Sequence, residues 1–256
     1  MTNKIKPRSS TKILTILLTM FCIALCISFA ELFSSLITTS GLNAVKDGEV
    51  KQNNFTLYAI SLYQTDTQTL AAENATLAKR QGGAGYIWQG DKFYVFASCY
   101  ENEADAKKVQ ENLQTNGTTC SIITLTFDAL AISTTSTGQE KTTLMESVQS
   151  FKNLYKKLYD LSVSIDTELL TEIEAKVSLS DITSDFKRTK ANFSALFNSQ
   201  LTSDILELKL SLENIDVILD ELAEYSSTEV PYTSVVKYAY FEILNEYKEL
   251  TKSING

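Results

Sequence analysis

The 256-residue chain has no histidine, which removes the Ser-His-Asp and Cys-His nucleophile arrangements and nearly all catalytic zinc sites, since each needs imidazole as base or ligand. Carboxylates remain. Asp166, Glu168, Glu172 and Glu174 crowd one stretch, where they could surround a cation or share acid–base work; acids so spaced on an amphipathic helix ordinarily form its solvated face. No metal or cofactor is expected. The chemistry left to the chain is that of aromatic surfaces. Tyr94, Phe96 and Ser98 alternate along one strand-like run and Leu57, Ala59 and Ser61 along another, with Trp88 alongside. A sheet face carrying Tyr, Phe and Trp suits the apolar faces of sugar rings, with hydroxyls hydrogen-bonding at the edges. The same rings would serve equally as packing beneath a loop, the C-terminal helices or a partner. Base stacking is a third use, since Lys92 opens a run loosely like an RNA-recognition strand.

The elements that must hold these residues are two strand-and-helix units in succession. FTLYAISLYQ is followed by TQTLAAENATLAKRQGG, and KFYVFASCY by ENEADAKKVQENLQTNG; TTCSIITLTF closes the segment. Tyr58, Ile60 and Leu62 alternate with Leu57, Ala59 and Ser61, and Phe93, Val95, Ala97 and Cys99 with Tyr94, Phe96, Ser98 and Tyr100. Leu70, Ala71, Ala75, Leu77 and Ala78, then Ala104, Val109 and Leu113, recur at helical spacing, so helices cover the side bearing Tyr58, Ile60, Phe93 and Val95. Gly90-Asp91 turns the chain between Tyr86-Ile87-Trp88 and Phe93-Tyr94-Val95. The expectation is a ferredoxin-like βαββαβ domain over residues 54–128, with its third and fourth strands flanking the first. That order holds Cys99 and Cys120 beyond bridging distance, so both are read as buried free thiols.

Charge and hydropathy set the context. Lys4, Lys6, Arg8 and Lys12 precede residues 13–30, an uncharged run long enough at about 1.5 Å per residue to cover most of a hydrocarbon core of about 30 Å. By the positive-inside bias, residues 1–12 form a cytoplasmic tail, 13–37 a single transmembrane anchor, and the remainder lies outside the cell membrane. A cleaved signal peptide is the rival reading, from Ser28-Phe29-Ala30. After Glu31 there are 19 basic against 30 acidic residues, about −11 net, a body that nucleic-acid phosphates repel. Residues 38–53 read as a stalk, 129–140 as a Ser/Thr-rich linker, and 141–256 as an all-α antiparallel helical bundle of three to five helices. Apolar positions there include Leu144, Val148, Phe151, Tyr155 and Leu158, then Leu169, Ile173 and Val177, then Val235, Tyr238, Phe241, Leu244 and Tyr247.

Anchor, stalk and βαββαβ segment together resemble a SPOR (sporulation-related repeat) protein of a bacterial envelope. Residues 55–127 carry the resemblance. Its most typical feature is a strand ending in an aromatic and running into an acidic, alanine-containing helix, here Phe93-Tyr94-Val95-Phe96-Ala97-Ser98-Cys99-Tyr100 followed by Glu101-Asn102-Glu103-Ala104-Asp105-Ala106. The chain departs from the pattern at Ala59, where glutamine is common, and at Ser98-Cys99, where Gly-Pro is frequent. The resemblance implies a non-enzymatic protein that binds peptidoglycan glycan strands in cell division or sporulation, and the sheet face of Leu57, Ala59, Ser61, Trp88, Tyr94, Phe96 and Ser98 is the surface the residues themselves offer for it. A protein partner is then expected for the helical domain. The alternative is a structural scaffold whose sheet and bundle make only protein–protein contacts. A wall hydrolase using paired carboxylates of the helical domain is a third class.

Overall fold

Period-two alternation places residues 55–65 and 93–100 at the centre of a four-stranded antiparallel sheet. In the computed structural model, which describes residues 48–135, 138–198 and 202–255, these are β2 (Phe55–Thr65) and β4 (Phe93–Tyr100). β3 (Tyr86–Gln89) and β5 (Ser121–Phe127) flank them in the order β3-β4-β2-β5. Strands three and four of the βαββαβ unit thus flank its first, as expected. Cys99 and Cys120 are free and buried.

Two helices cover one face. α1 (Gln68–Arg80) starts at Thr67, whose side chain accepts from the Leu70 amide, and carries Lys79 and Arg80 in its last turn, where the helix dipole favours cations. Its buried residues are all alanine, Ala71, Ala75 and Ala78, against Val95. Leu70 and Leu77, expected in that apolar stripe, are about half exposed. Small residues let helix and sheet approach closely, and Gly85 shows how closely: at φ +58, a Cβ there would lie 2.3 Å from the Ala75 carbonyl oxygen. α2 (Glu103–Thr115) begins at Asn102, whose side chain accepts from the Ala104 amide, and buries Ala106 against Ile60.

The other four helices are α3 (Gln139–Asp166), α4 (Glu172–Leu196), α5 (Ser203–Glu224) and α6 (Tyr232–Asn255). Consecutive helices pack together and α6 returns against α3. A capping box between Thr171 and Glu174 starts α4, and Pro231 leads into α6. Lys187–Asp220 (2.7 Å) and Lys190–Asp216 tie α4 to α5, and Lys157–Asp185 (2.9 Å) ties α3 to α4.

Two differences from the expected organisation have one cause. β1 (Glu49–Gln52), within the expected stalk, pairs antiparallel with β6 (Leu130–Ser133), within the expected linker, setting Val50 opposite Ile132. Val50, Leu130 and Ile132 are fully buried in the core that also holds Leu57, Phe96, Phe151 and Phe241. Sheet and helices therefore share one core, and Val45–Gly256 is one compact unit. The fold is mixed α+β, with six helices and two small antiparallel sheets among the described residues. The expected anchor, residues 13–37, lies outside the described residues; among those described, no helix is long and apolar enough to cross a membrane.

Candidate functional site

The sheet face opposite α1 and α2 is where sequence placed a binding surface, and the strands set most of those side chains there. Leu57, Ala59, Phe96 and Ala84 share a cluster, with Trp88 and Tyr94 partly buried against it. Trp88 stands opposite Tyr94 across β3 and β4, and Ser61 opposite Phe96 across β2 and β4. Ser98 is the exception. Two compensating bulges, Ala97 in β4 and Leu62 in β2, interrupt the pairing between Ile60–Ser98 and Tyr63–Val95. Each inserts one residue, so the alternation reverses beyond it. Ser98 consequently lies with Ile60 on the side of α2, its hydroxyl donating to that of Tyr100 (3.1 Å), while Cys99 turns to the opposite face. The strict alternation expected for residues 93–100 ends at Phe96.

That face is not open. α3 and α6 lie across it, and Leu57, Ala59, Ser61 and Phe96 are buried to 2% exposure or less. Phe241 of α6 stacks on Phe96 (5.4 Å between centroids) and on Tyr86 (5.4 Å), and Tyr247 meets Phe55 (5.3 Å) and Phe127 (6.2 Å). The Tyr240 hydroxyl accepts from the Cys99 amide (3.3 Å), and the Tyr155 hydroxyl donates to the Cys99 carbonyl (3.5 Å). Burial pushes both tyrosine hydroxyls and the Cys99 thiol upward in pKa, so all three are neutral and the thiol is inert. At the end of α1, Ser234 donates to the Lys79 carbonyl (2.8 Å) and Lys237 to the Gly82 carbonyl just past the helix (2.8 Å). Tyr247 donates to the Asp128 carbonyl (3.0 Å) beside β6.

The acidic stretch has no common site. Asp166 accepts from Thr233 (2.7 Å) and pairs with Lys237 (2.6 Å), Glu172 pairs with Lys176 (2.7 Å), Glu174 closes the capping box, and Glu168 turns the chain at φ +57. No group of side chains suited to a metal occurs among the described residues.

What remains accessible is the rim at β3. Trp88 and Tyr94 are half-buried, and the Tyr94 hydroxyl donates to Asp91 (2.7 Å). Beside them lies a cleft of about 550 Å³, lined by Tyr86, Ile87, Trp88, Gln89 and Gly90 and, from α6, by Asn245, Lys248 and Glu249. The Lys248 ammonium sits 4.5 Å above the Trp88 ring. Of these only Trp88 was singled out from sequence. A usable signal was α6 itself, where Val236, Tyr240, Phe241, Leu244 and Tyr247 are buried together with Lys237; a helix apolar over so wide an arc must face two layers. No family model, no curated protein and no solved structure matches this chain.

Proposed function

We propose that the chain is a non-catalytic scaffold protein of a bacterial envelope, held at the membrane by residues 13–37, with sheet and helices acting as one body that engages protein partners. The observation that carries this reading is the occupied sheet face. Leu57, Ala59 and Phe96 lie beneath α3 and α6, so reaching them with a glycan would require removing Phe241, Tyr240 and Tyr247 from the core. Apolar side chains left in water support the same reading: Leu169, Ile173 and Val177 lie on one side of α4 and its entry turn, at 62% exposure or more. The test is co-sedimentation of the full-length protein with purified sacculi, with and without amidase treatment to strip stem peptides. No enrichment is expected, and enrichment on stripped sacculi would overturn the scaffold reading.

The second reading, a SPOR-like glycan binder acting in division or sporulation, is favoured by one observation, the half-exposed Trp88 and Tyr94 at the rim. Under it, Tyr94→Ala lowers retention on sacculi at least several-fold while leaving the fold intact. Under the scaffold reading there is no retention to lower.

A further inference from the structure

β3 is an edge strand. Among the described residues its only strand neighbour is β4, so alternate residues of β3 aim N–H and C=O groups away from the sheet. Open edges are commonly blunted by charge or proline, and Tyr86-Ile87-Trp88-Gln89 carries neither. The cleft runs along this strand, with five consecutive residues, Tyr86 to Gly90, on one wall and α6 on the other. A free strand edge facing a helix is the geometry in which an extended peptide adds to a sheet, its main chain paired with the edge and alternate side chains lying toward the helix.

The side chains of the cleft indicate what such a peptide carries. The amides of Gln89 and Asn245 have no hydrogen-bond partner within the protein among the described residues. Lys248 makes no ion pair there, its ammonium resting over Trp88, whereas Glu249 is already paired with Lys252 (3.7 Å). Lys248 is therefore the cation of the cleft lining left to meet an anionic group, while Glu242, Glu246 and Glu249 act electrostatically on Tyr86. A sugar fits less well, because the Trp88 ring is capped by Lys248 and flanked by Phe96 (6.1 Å) and Phe127 (6.2 Å), leaving no bare platform for stacking.

We propose that the cleft between β3 and α6 binds a short extended peptide as a fifth strand, with an acidic side chain of that peptide on Lys248. At roughly 3.4 Å per residue, the four residues of β3 match a peptide of about four to six residues. The proposal rests on the reading of the chain as a protein-binding scaffold and names one partner chemistry for it.

The test uses the full-length protein in detergent micelles and a fluorescein-labelled hexapeptide of alternating valine and aspartate, followed by anisotropy. Saturable binding is expected. A version with proline at the third residue, which lacks an amide hydrogen, and a valine–lysine version should each bind about tenfold more weakly or worse. Lys248→Glu, an alteration in the cleft wall, should weaken the aspartate peptide to the same degree with an unchanged circular dichroism spectrum. Absence of binding, equal binding of the proline version, or an unaltered affinity in Lys248→Glu overturns the proposal. So does displacement of the bound peptide by chitohexaose, which would assign the cleft to saccharide. Failure here leaves the sacculus result untouched, so the two readings fail separately.

Discussion

The two faces of the sheet are covered in opposite ways. Toward α1 and α2 the contact is between small residues, Ala71, Ala75, Ala78 and Ala106 against Ile60 and Val95, and the covering helices come from the same βαββαβ segment. Toward α3 and α6 it is built from rings, with Phe96, Phe127 and Phe55 meeting Phe241 and Tyr247, and its cover arrives from as far as 192 positions away, the separation of Phe55 from Tyr247. Close backbone approach holds the first face; large apolar area with a few buried hydroxyl bonds holds the second. The second face is what a separate binding module would have left bare, and its occupation joins sheet and helices in one core.

The largest effect should come from Phe241→Ala. Removing a fully buried ring that stacks on Phe96 and Tyr86 and meets Tyr240 at a tilt should cost about 3–5 kcal/mol. The chain has one tryptophan, Trp88, placed against this interface, so its emission reports the sheet while far-ultraviolet ellipticity reports mainly the helices. In urea the two signals should move together, in the variant as in the parent. Ellipticity persisting after Trp88 emission has shifted would show a bundle that outlasts the sheet and is not held by the ring-lined face.

On the alanine face the informative change is an addition. Ala78→Leu forces extra methylene groups into a contact with no space for them and should cost about 1–3 kcal/mol, again read as a lowered urea midpoint. A neutral outcome would mean that α1 can ride away from the sheet. Close approach would then not be what holds that face.

These two substitutions also mark what was legible in the sequence. The alanine face was, because Tyr58, Ile60, Phe93 and Val95 alternate on strands and the helices follow directly in the chain. Leu57, Ala59, Tyr94 and Phe96 were correctly grouped by the same alternation. Ser98 was not, because a bulge is a property of the pairing between β2 and β4, and neither Ala97 nor Leu62 has a residue type that announces one. β1 and β6 escaped for a related reason: four-residue strands such as EVKQ and LAIS carry too little period to stand out, and their partner lies some 80 positions away. What covers the aromatic face was one of the readings the sequence left open. The width of the apolar arc on α6 was the signal that could have decided between them. Leu169, Ile173 and Val177 mislead in the other direction, being helically spaced yet exposed at the corner between α3 and α4.

A smaller effect should follow from Tyr240→Phe, which leaves the ring on Phe241 and removes only the acceptor for the Cys99 amide (3.3 Å). A buried amide that loses this partner should cost about 1 kcal/mol, well below Phe241→Ala. Equal losses in the two variants would mean that polar satisfaction, not apolar area, dominates the ring-lined face.

The smallest effect lies where α1 meets α6, and it depends on pH. Glu242 is pushed up to about 7, first by burial, then by Glu221 and Glu246, with Lys79 opposing. The Lys79 ammonium, 3.7 Å above the Tyr238 ring, is itself shifted downward by burial. A carboxyl whose folded pKa lies above its unfolded value of 4.5 holds its proton more tightly when folded. Its favourable contribution is therefore complete below pH 4.5 and is lost as pH rises through about 7. Because solvent reaches part of the side chain, the loss should be on the order of 1 kcal/mol or less. Glu242→Gln removes the titration, so relative to the parent it should gain stability above pH 7 and nothing below pH 4.5. On the ring-lined face Tyr155, Tyr240 and Cys99 stay neutral across that range. A difference between variant and parent that does not change with pH would place Glu242 in water, and the contact between α1 and α6 would then be looser than the Ser234 and Lys237 bonds to the end of α1 imply.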